Sequence, residues 1–238
     1  MKLTSILLSV TPIVSNFIPK YTLKNAKQLK LQNYIQNSKI DIVICTGAAG
    51  TGKTMIACQE AIKMLKYAEI NKIVITRPTV TVEENLGYLP GTMEDKIYPF
   101  LIPIYDYFLE HYTKENLMTL IRNGKLEVSP LAYMRGRTFK DTFIIADEMQ
   151  NTTPNQMKML LTRIGQNSKM IITGDLEQND LNTYNGLQNI VDLLENKYKQ
   201  YDHKDYQMFK DGFAYINLDN SCIERHKIIE KVIDLYKI

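Results

Sequence analysis

The residues Gly47-Ala48-Ala49-Gly50-Thr51-Gly52-Lys53-Thr54 fill the pattern G-x-x-x-x-G-K-[ST] at every fixed position. The chemistry such a stretch supports is phosphate binding. Glycines let successive backbone N–H groups curl around anionic oxygens without side-chain collision. A helix that starts at the end of the loop adds its positive pole. Lys53 is placed to reach the β- and γ-phosphates of a nucleotide, and the Thr54 hydroxyl to ligate Mg²⁺. Two further polar groups follow apolar runs. Asp147-Glu148 closes Phe143-Ile144-Ile145-Ala146, and Gly174-Asp175-Leu176-Glu177-Gln178 closes Lys169–Thr173. A carboxylate at a strand end beside the phosphate loop is where Mg²⁺ needs a second anchor, and Asp147 fits that role. Glu148, one residue farther into the cleft, is placed to polarise an attacking water. Gln178 is placed to touch the γ-phosphate or that water. Together these residues predict ATP and Mg²⁺ as ligands and hydrolysis as the reaction.

Such a site requires strands that end at one edge of a sheet. Ile40–Cys45 is short, β-branched and followed by Gly47, as a buried strand would be. Thr54–Ala68 carries Ile56, Ala57, Ala61, Met64, Leu65 and Ala68 on one helical side. Lys72–Thr76, Lys125–Ser129, Thr142–Ala146, Lys169–Thr173 and Phe213–Leu218 are further strand candidates. Thr92–His111 has helical spacing, although Pro99 and Pro103 should kink it. Thr153-Pro154-Asn155-Gln156 reads as an N-cap, a proline at the first helical position and a capping-box glutamine, and the helix is expected to run to Ile164, stopped by Gly165. Cys222–Tyr236 is the last helix expected. Strands alternating with helices imply a parallel sheet covered on both faces, with ligands beyond the carboxyl ends of the strands.

Composition agrees without deciding more. The chain has 238 residues, 45% hydrophobic and 23% charged, with a net charge of +3, as a globular protein with a substantial core would have. Three cysteines (Cys45, Cys58, Cys222) without a C-x-x-C argue against a disulfide framework and against zinc, and the three histidines show no ligand spacing. Leu3–Val14 is mostly apolar, but Thr4, Ser5, Ser9, Thr11 and Pro12 interrupt it and no A-x-A site follows, so it is read as part of an N-terminal extension (residues 1–20) and not as an export signal. No apolar run is long enough for a spanning helix. The location expected is cytoplasmic, with no membrane partner.

Several stretches together resemble the PhoH family: Gly47–Thr54, Thr76-Arg77-Pro78, Leu86-Gly87-Tyr88-Leu89-Pro90-Gly91, Leu131–Thr138, Asp147–Thr153 and Gln156–Gly165. That family is similar to the first motor domain of superfamily 1 helicases. The resemblance runs from about Tyr21 to Ile238, and two positions depart from it: Met149 stands where alanine is usual, and Glu83 near where glycine is expected. The fold implied is a RecA-like P-loop NTPase: α/β, three layers (αβα), a mainly parallel sheet, one domain over 21–238.

The resemblance also implies an ATPase that works on RNA or single-stranded DNA and assembles as a homo-oligomer, up to a hexameric ring. It assigns adenine reading to Gln28 and a γ-phosphate contact to Arg225. It places Arg77, Arg135 and Arg137 in segments that face nucleic acid. An arginine supplied to a neighbouring copy would come from Arg135, Arg137 or Arg163. A P-loop kinase of a small molecule and a non-catalytic nucleotide-dependent scaffold remain the alternative readings.

Overall fold

The computed structural model describes residues 17–78, 102, 104–178 and 184–222. Six strands form one sheet: β1 Ile42–Gly47, β2 Lys72–Thr76, β3 Leu126–Val128, β4 Thr142–Ala146, β5 Lys169–Gly174 and β6 Phe213–Leu218. Their order is β3-β2-β4-β5-β1-β6, and every pairing is parallel. Parallel strands need crossovers that cover both faces, and the side chains divide accordingly. Alternate residues of β4 point to opposite sides: Phe143 and Ile145 join a core with Leu31, Ile35, Ile56 and Ile62, while Ile144 and Ala146 join one with Met157, Leu160, Leu187 and Ile190. The first core lies under α1 (Ala26–Gln36) and α2 (Lys53–Lys66), and α3 (Lys114–Arg122) adds Leu117 to it; the second lies under α4 (Pro154–Leu161) and α5 (Gly186–Tyr198). A short α6 (Lys204–Lys210) packs beside β6. This is the three-layer α/β fold with a parallel sheet that was expected, with β5 between the strand that feeds the phosphate loop and the strand that ends at Asp147.

Strands β2, β4 and β6 have the bounds their apolar runs predict, whereas β1 and β5 extend through Gly47 and Gly174. Thr153 and Gln156 form the expected capping box at the start of α4. The end of α4 differs from expectation: it stops at Leu161, before Ile164. Thr162 Oγ1 donates to the Lys158 and Met159 carbonyls, and Ile164 leaves the helix to bridge Phe139 in parallel. Of the helix expected over Thr92–His111, only 102 and 104–111 fall among the described residues, and 102 and 104–109 are helical. Cys222 closes a 3-10 turn, Asn220–Cys222; the remainder of the helix expected over Cys222–Tyr236 lies outside the described residues.

A buried carboxylate ties α1 to α2. Glu60 accepts hydrogen bonds from Gln32 Nε2 (2.6 Å) and Gln36 Nε2 (2.9 Å), with Lys63 Nζ at 3.6 Å. That contact carries α1 alongside the phosphate loop.

Where β1 gives way to the loop, the backbone of β6 leaves no room. Gly47 has φ +147°, and a Cβ there would lie 2.1 Å from the Leu218 carbonyl oxygen. Gly47→Ala must therefore push β6 aside, and we expect it to lower unfolding stability by roughly 2 kcal/mol or more. Urea denaturation followed by circular dichroism measures this, and an unchanged midpoint would contradict the close approach.

Candidate nucleotide site

The loop after β1 closes on its own lysine. Lys53, only 9% exposed, donates from Nζ to the carbonyls of Gly47 (2.6 Å) and Ala48 (2.8 Å). Thr51 Oγ1 donates to the same Ala48 carbonyl at 2.8 Å. The ammonium is thus held inside the ring of backbone that Gly47, Ala48, Ala49, Gly50, Thr51 and Gly52 form. Gln28 of α1 lies buried against this ring: its Nε2 donates to the Thr51 carbonyl (3.0 Å) and its Oε1 accepts from the Lys24 N–H (2.9 Å). Each end of the amide is used once, which leaves one N–H and one lone pair.

Asp147 is where the strands converge. Its side chain is 1% exposed. Oδ1 accepts from Thr54 Oγ1 of α2 (2.7 Å) and from Thr173 Oγ1 of β5 (2.5 Å). Oδ2 accepts from Arg77 Nε (2.9 Å) and Nη2 (2.5 Å). Arg77, from a segment expected to face nucleic acid, bonds this carboxylate: a buried carboxylate has to be compensated, and Arg77, following β2, is within reach. Arg137, from another segment expected to face nucleic acid, is also paired. It makes a two-pronged pair with Glu127 (2.5 and 3.0 Å) and lies 4.6 Å from the Phe139 ring centre. The bond from Arg137 holds the Glu127 carboxyl below its usual range, helped by Lys72. Arg163 is spent on the Met159 and Arg137 carbonyls. Arg135 alone of the three arginines named for a neighbouring copy has no hydrogen-bond or ion-pair partner among the described residues. It lines a groove of about 260 Å³ between Leu131–Met134 and α4.

Glu148 takes the left-handed conformation (φ 58°, ψ 37°) as the chain turns out of β4 into the 3-10 turn Met149–Asn151. Such a backbone is uncommon for a residue other than glycine, and it redirects the carboxylate relative to Asp147. Gln150, 2% exposed, holds that carboxylate: its Nε2 donates to Glu148 Oε2 at 2.7 Å, and its Oε1 accepts from the Asp175 N–H at 3.1 Å. Gly174 permits this, since a Cβ there would lie 2.6 Å from Gln150 Oε1. Sequence reading missed Gln150. The available signal was a polar residue two places after an acidic pair that closes a buried strand. Gln178 is exposed in the turn after β5, its N–H donating to the Asp175 carbonyl at 3.3 Å. That turn flanks a cleft of about 450 Å³ lined by Gly47, Ala48, Asp175, Glu177 and Asp219, among others. Arg225 lies outside the described residues.

The donor chemistry fits Mg²⁺. A hydroxyl and a carboxylate oxygen, from Thr54 and Asp147, meet at 2.7 Å, and both are hard oxygen ligands. Among the described residues no group of three or more His, Cys, Asp or Glu could hold a metal by itself, so the remaining ligands would come from phosphate and water. Both Cys45 and Cys58 are free and buried, as read from the sequence. No helix among the described residues is long and apolar enough to cross a membrane.

Comparison with known proteins gives this geometry a lineage. The sequence matches the family of PhoH-like proteins over residues 20–237. The chain belongs to the PhoH-like protein family. It is 42% identical over 215 residues to a PhoH-like protein of Synechocystis sp., covering 89% of this chain and 62% of that one. A PhoH-like protein of Bacillus subtilis is 43% identical over 198 residues, covering 82% and 58%. Protein PhoH of Escherichia coli is 39% identical over 160 residues, covering 66% and 45%. The chain thus spans about half to three-fifths of these PhoH-like relatives. Among solved structures, a Pif1 helicase from Candida albicans aligns over 90% of this chain and 43% of that one at 17% identity, with a TM-score of 0.41. An overlay of that quality adds nothing to the topology described above. The PhoH resemblance read from the motifs is borne out by the family match.

The role of Gln150 can be tested on stability alone. Gln150→Leu removes the acceptor of the Asp175 N–H and the donor to Glu148, and should cost about 1–3 kcal/mol in urea unfolding. A loss below a few tenths of a kcal/mol would mean that Gln150 does not tie the two turns together.

Proposed function

We propose that this PhoH-like domain, residues 21–238, binds ATP with Mg²⁺ and hydrolyses it, and that RNA or single-stranded DNA couples to the cycle. One observation carries the reading: Thr54 Oγ1 of the phosphate loop bonds Asp147 Oδ1 at 2.7 Å, with Lys53 and Glu148 each one residue away. Phosphate binding, metal anchoring and water activation are thereby adjacent.

The residues divide the work. Backbone N–H groups from Gly47 to Thr54 cradle the phosphates, and the Lys53 ammonium exchanges the Gly47 and Ala48 carbonyls for phosphate oxygens. Thr54 and Asp147 would hold Mg²⁺, which would supply positive charge against the phosphates. Glu148, oriented by Gln150, accepts the proton of the attacking water as the bond to the γ-phosphorus forms and ADP leaves. Gln178 contacts the γ-phosphate or the water, and Arg225 stabilises the γ-phosphate from the same chain. The remaining N–H and lone pair of Gln28 read adenine while its other bonds brace Thr51.

For nucleic acid, the support is narrower than the sequence suggested and rests on Arg135. Its neighbour Tyr133 is 56% exposed, and Asn155 and Gln156 line the same groove. An exposed ring suits stacking on bases, and a guanidinium suits pairing with phosphate. Assembly as a homo-oligomer, with a hexameric ring as the largest form expected, would let Arg135 complete a neighbour's site. The location proposed is cytoplasmic.

Phosphate release without any added acceptor tests the hydrolysis. Lys53→Ala should abolish most of it through lost charge stabilisation. Glu148→Gln should retain ATP binding and slow turnover roughly a hundredfold or more. Wild-type turnover in either folded variant would remove that residue from the mechanism. Single-stranded RNA or DNA should raise the rate at low salt, with affinity falling steeply as salt rises. Arg135→Ala should weaken binding, and a strand that neither binds nor stimulates at low salt would refute the nucleic-acid coupling.

A further inference from the structure

Asp147 is nearly fully buried, and a carboxylate there needs a counter-charge. Its two oxygens are used differently. Oδ1 takes two uncharged hydroxyls, from Thr54 and Thr173. Oδ2 takes both donors from one cation, Arg77. Among the described residues no other cation bonds this carboxylate. Each oxygen thus accepts two donors, so the side that faces Thr54 belongs to a carboxylate already neutralised from behind. The Cys58 thiol is pushed up mainly by burial and further by Asp147, against which Arg77 acts in the opposite direction. Tyr107, raised chiefly by burial, feels the same two charges with opposite sign.

This bears on how a divalent cation can enter. A six-coordinate cation finds one hydroxyl and one carboxylate offset by Arg77, too few ligands and little net charge from that pair to draw it in. Phosphate oxygens would supply both the missing ligands and the charge. We infer that Arg77 is a specificity-determining residue: by neutralising Asp147 it makes the site reject the free divalent cation and accept it only as the metal–nucleotide complex. The inference rests on the Mg²⁺–ATP reading above and adds the order in which that pair must arrive.

The test titrates Mn²⁺ into the full chain without nucleotide and follows free Mn²⁺ by electron paramagnetic resonance. Arg77→Gln keeps a hydrogen-bond donor toward Oδ2 and removes the charge. Wild type should bind Mn²⁺ weakly, and Arg77→Gln should bind it about tenfold or more tightly, as an uncompensated carboxylate in a low-dielectric site would. The gain should vanish in Arg77→Gln/Asp147→Asn and be absent in Arg77→Lys, which keeps the charge. Equal Mn²⁺ affinity in wild type and Arg77→Gln would overturn the inference, as would a gain that survives Asp147→Asn. If Arg77→Gln is too unstable to titrate, its unfolding midpoint reads the same quantity: a rise with Mn²⁺ larger than in wild type supports the inference, and an equal rise overturns it. A parallel titration with ADP separates the two levels. Wild type that takes no Mn²⁺ even with ADP would defeat the nucleotide reading, whereas failure of Arg77→Gln to gain Mn²⁺ affinity defeats only the role of Arg77.

Discussion

A carboxylate taken out of water has to be surrounded by donors, and at Asp147 those donors come from separate parts of the fold. Thr54 belongs to α2, Thr173 to β5, and Arg77 follows β2. Each reaches Asp147 only because the sheet is parallel and its strands end at one edge in the order β2-β4-β5-β1. With β5 between β4 and β1, Thr173 stands at the midpoint between the acid and the loop. A different strand order would leave Asp147 buried without compensation, at a cost of several kcal/mol. The site and the topology are therefore one constraint seen from two ends.

The groups that would meet the γ-phosphate are held by a second, thinner set of contacts. Glu148 leaves β4 in a left-handed conformation, and Gln150 connects its carboxylate to the backbone of Asp175. The turn that carries Gln178 begins at that same residue. Movement of this turn would thus be felt at Glu148 through one amide side chain. On the opposite side, Gln28 connects the loop carbonyl of Thr51 to α1, and Glu60 holds α1 on α2. The phosphate loop is thus braced on its α1 side, and Glu148 on the β5 side, as preorganised binding requires.

Much of this was legible in the residues. The phosphate loop could be read because its glycines, lysine and threonine each have a local reason to be there. Strands β2, β4 and β6 could be read because parallel strands buried on both faces appear as continuous apolar runs. The acid pair was legible as the end of such a run. The partners of Arg77 and Arg137 were not, because an arginine carries no local mark of what it pairs with, and Asp147 lies 70 residues from Arg77. Gln150 was hidden for the same reason: its tie to Asp175 spans 25 residues and depends on Gly174 having no side chain. The end of α4 escaped because Gly165 seemed the natural stop, while the bridge from Ile164 to Phe139 ended the helix earlier. Local propensity yielded there to a tertiary contact.

The account depends most on Asp147 acting as the metal anchor of a nucleotide site, and calorimetric titration of ATP reads that directly. Wild type and Asp147→Asn should bind ATP similarly in EDTA, where no metal is present for Asp147 to hold. Adding Mg²⁺ should tighten binding to wild type and leave Asp147→Asn unchanged. A Mg²⁺-dependent gain of equal size in both proteins would contradict the account.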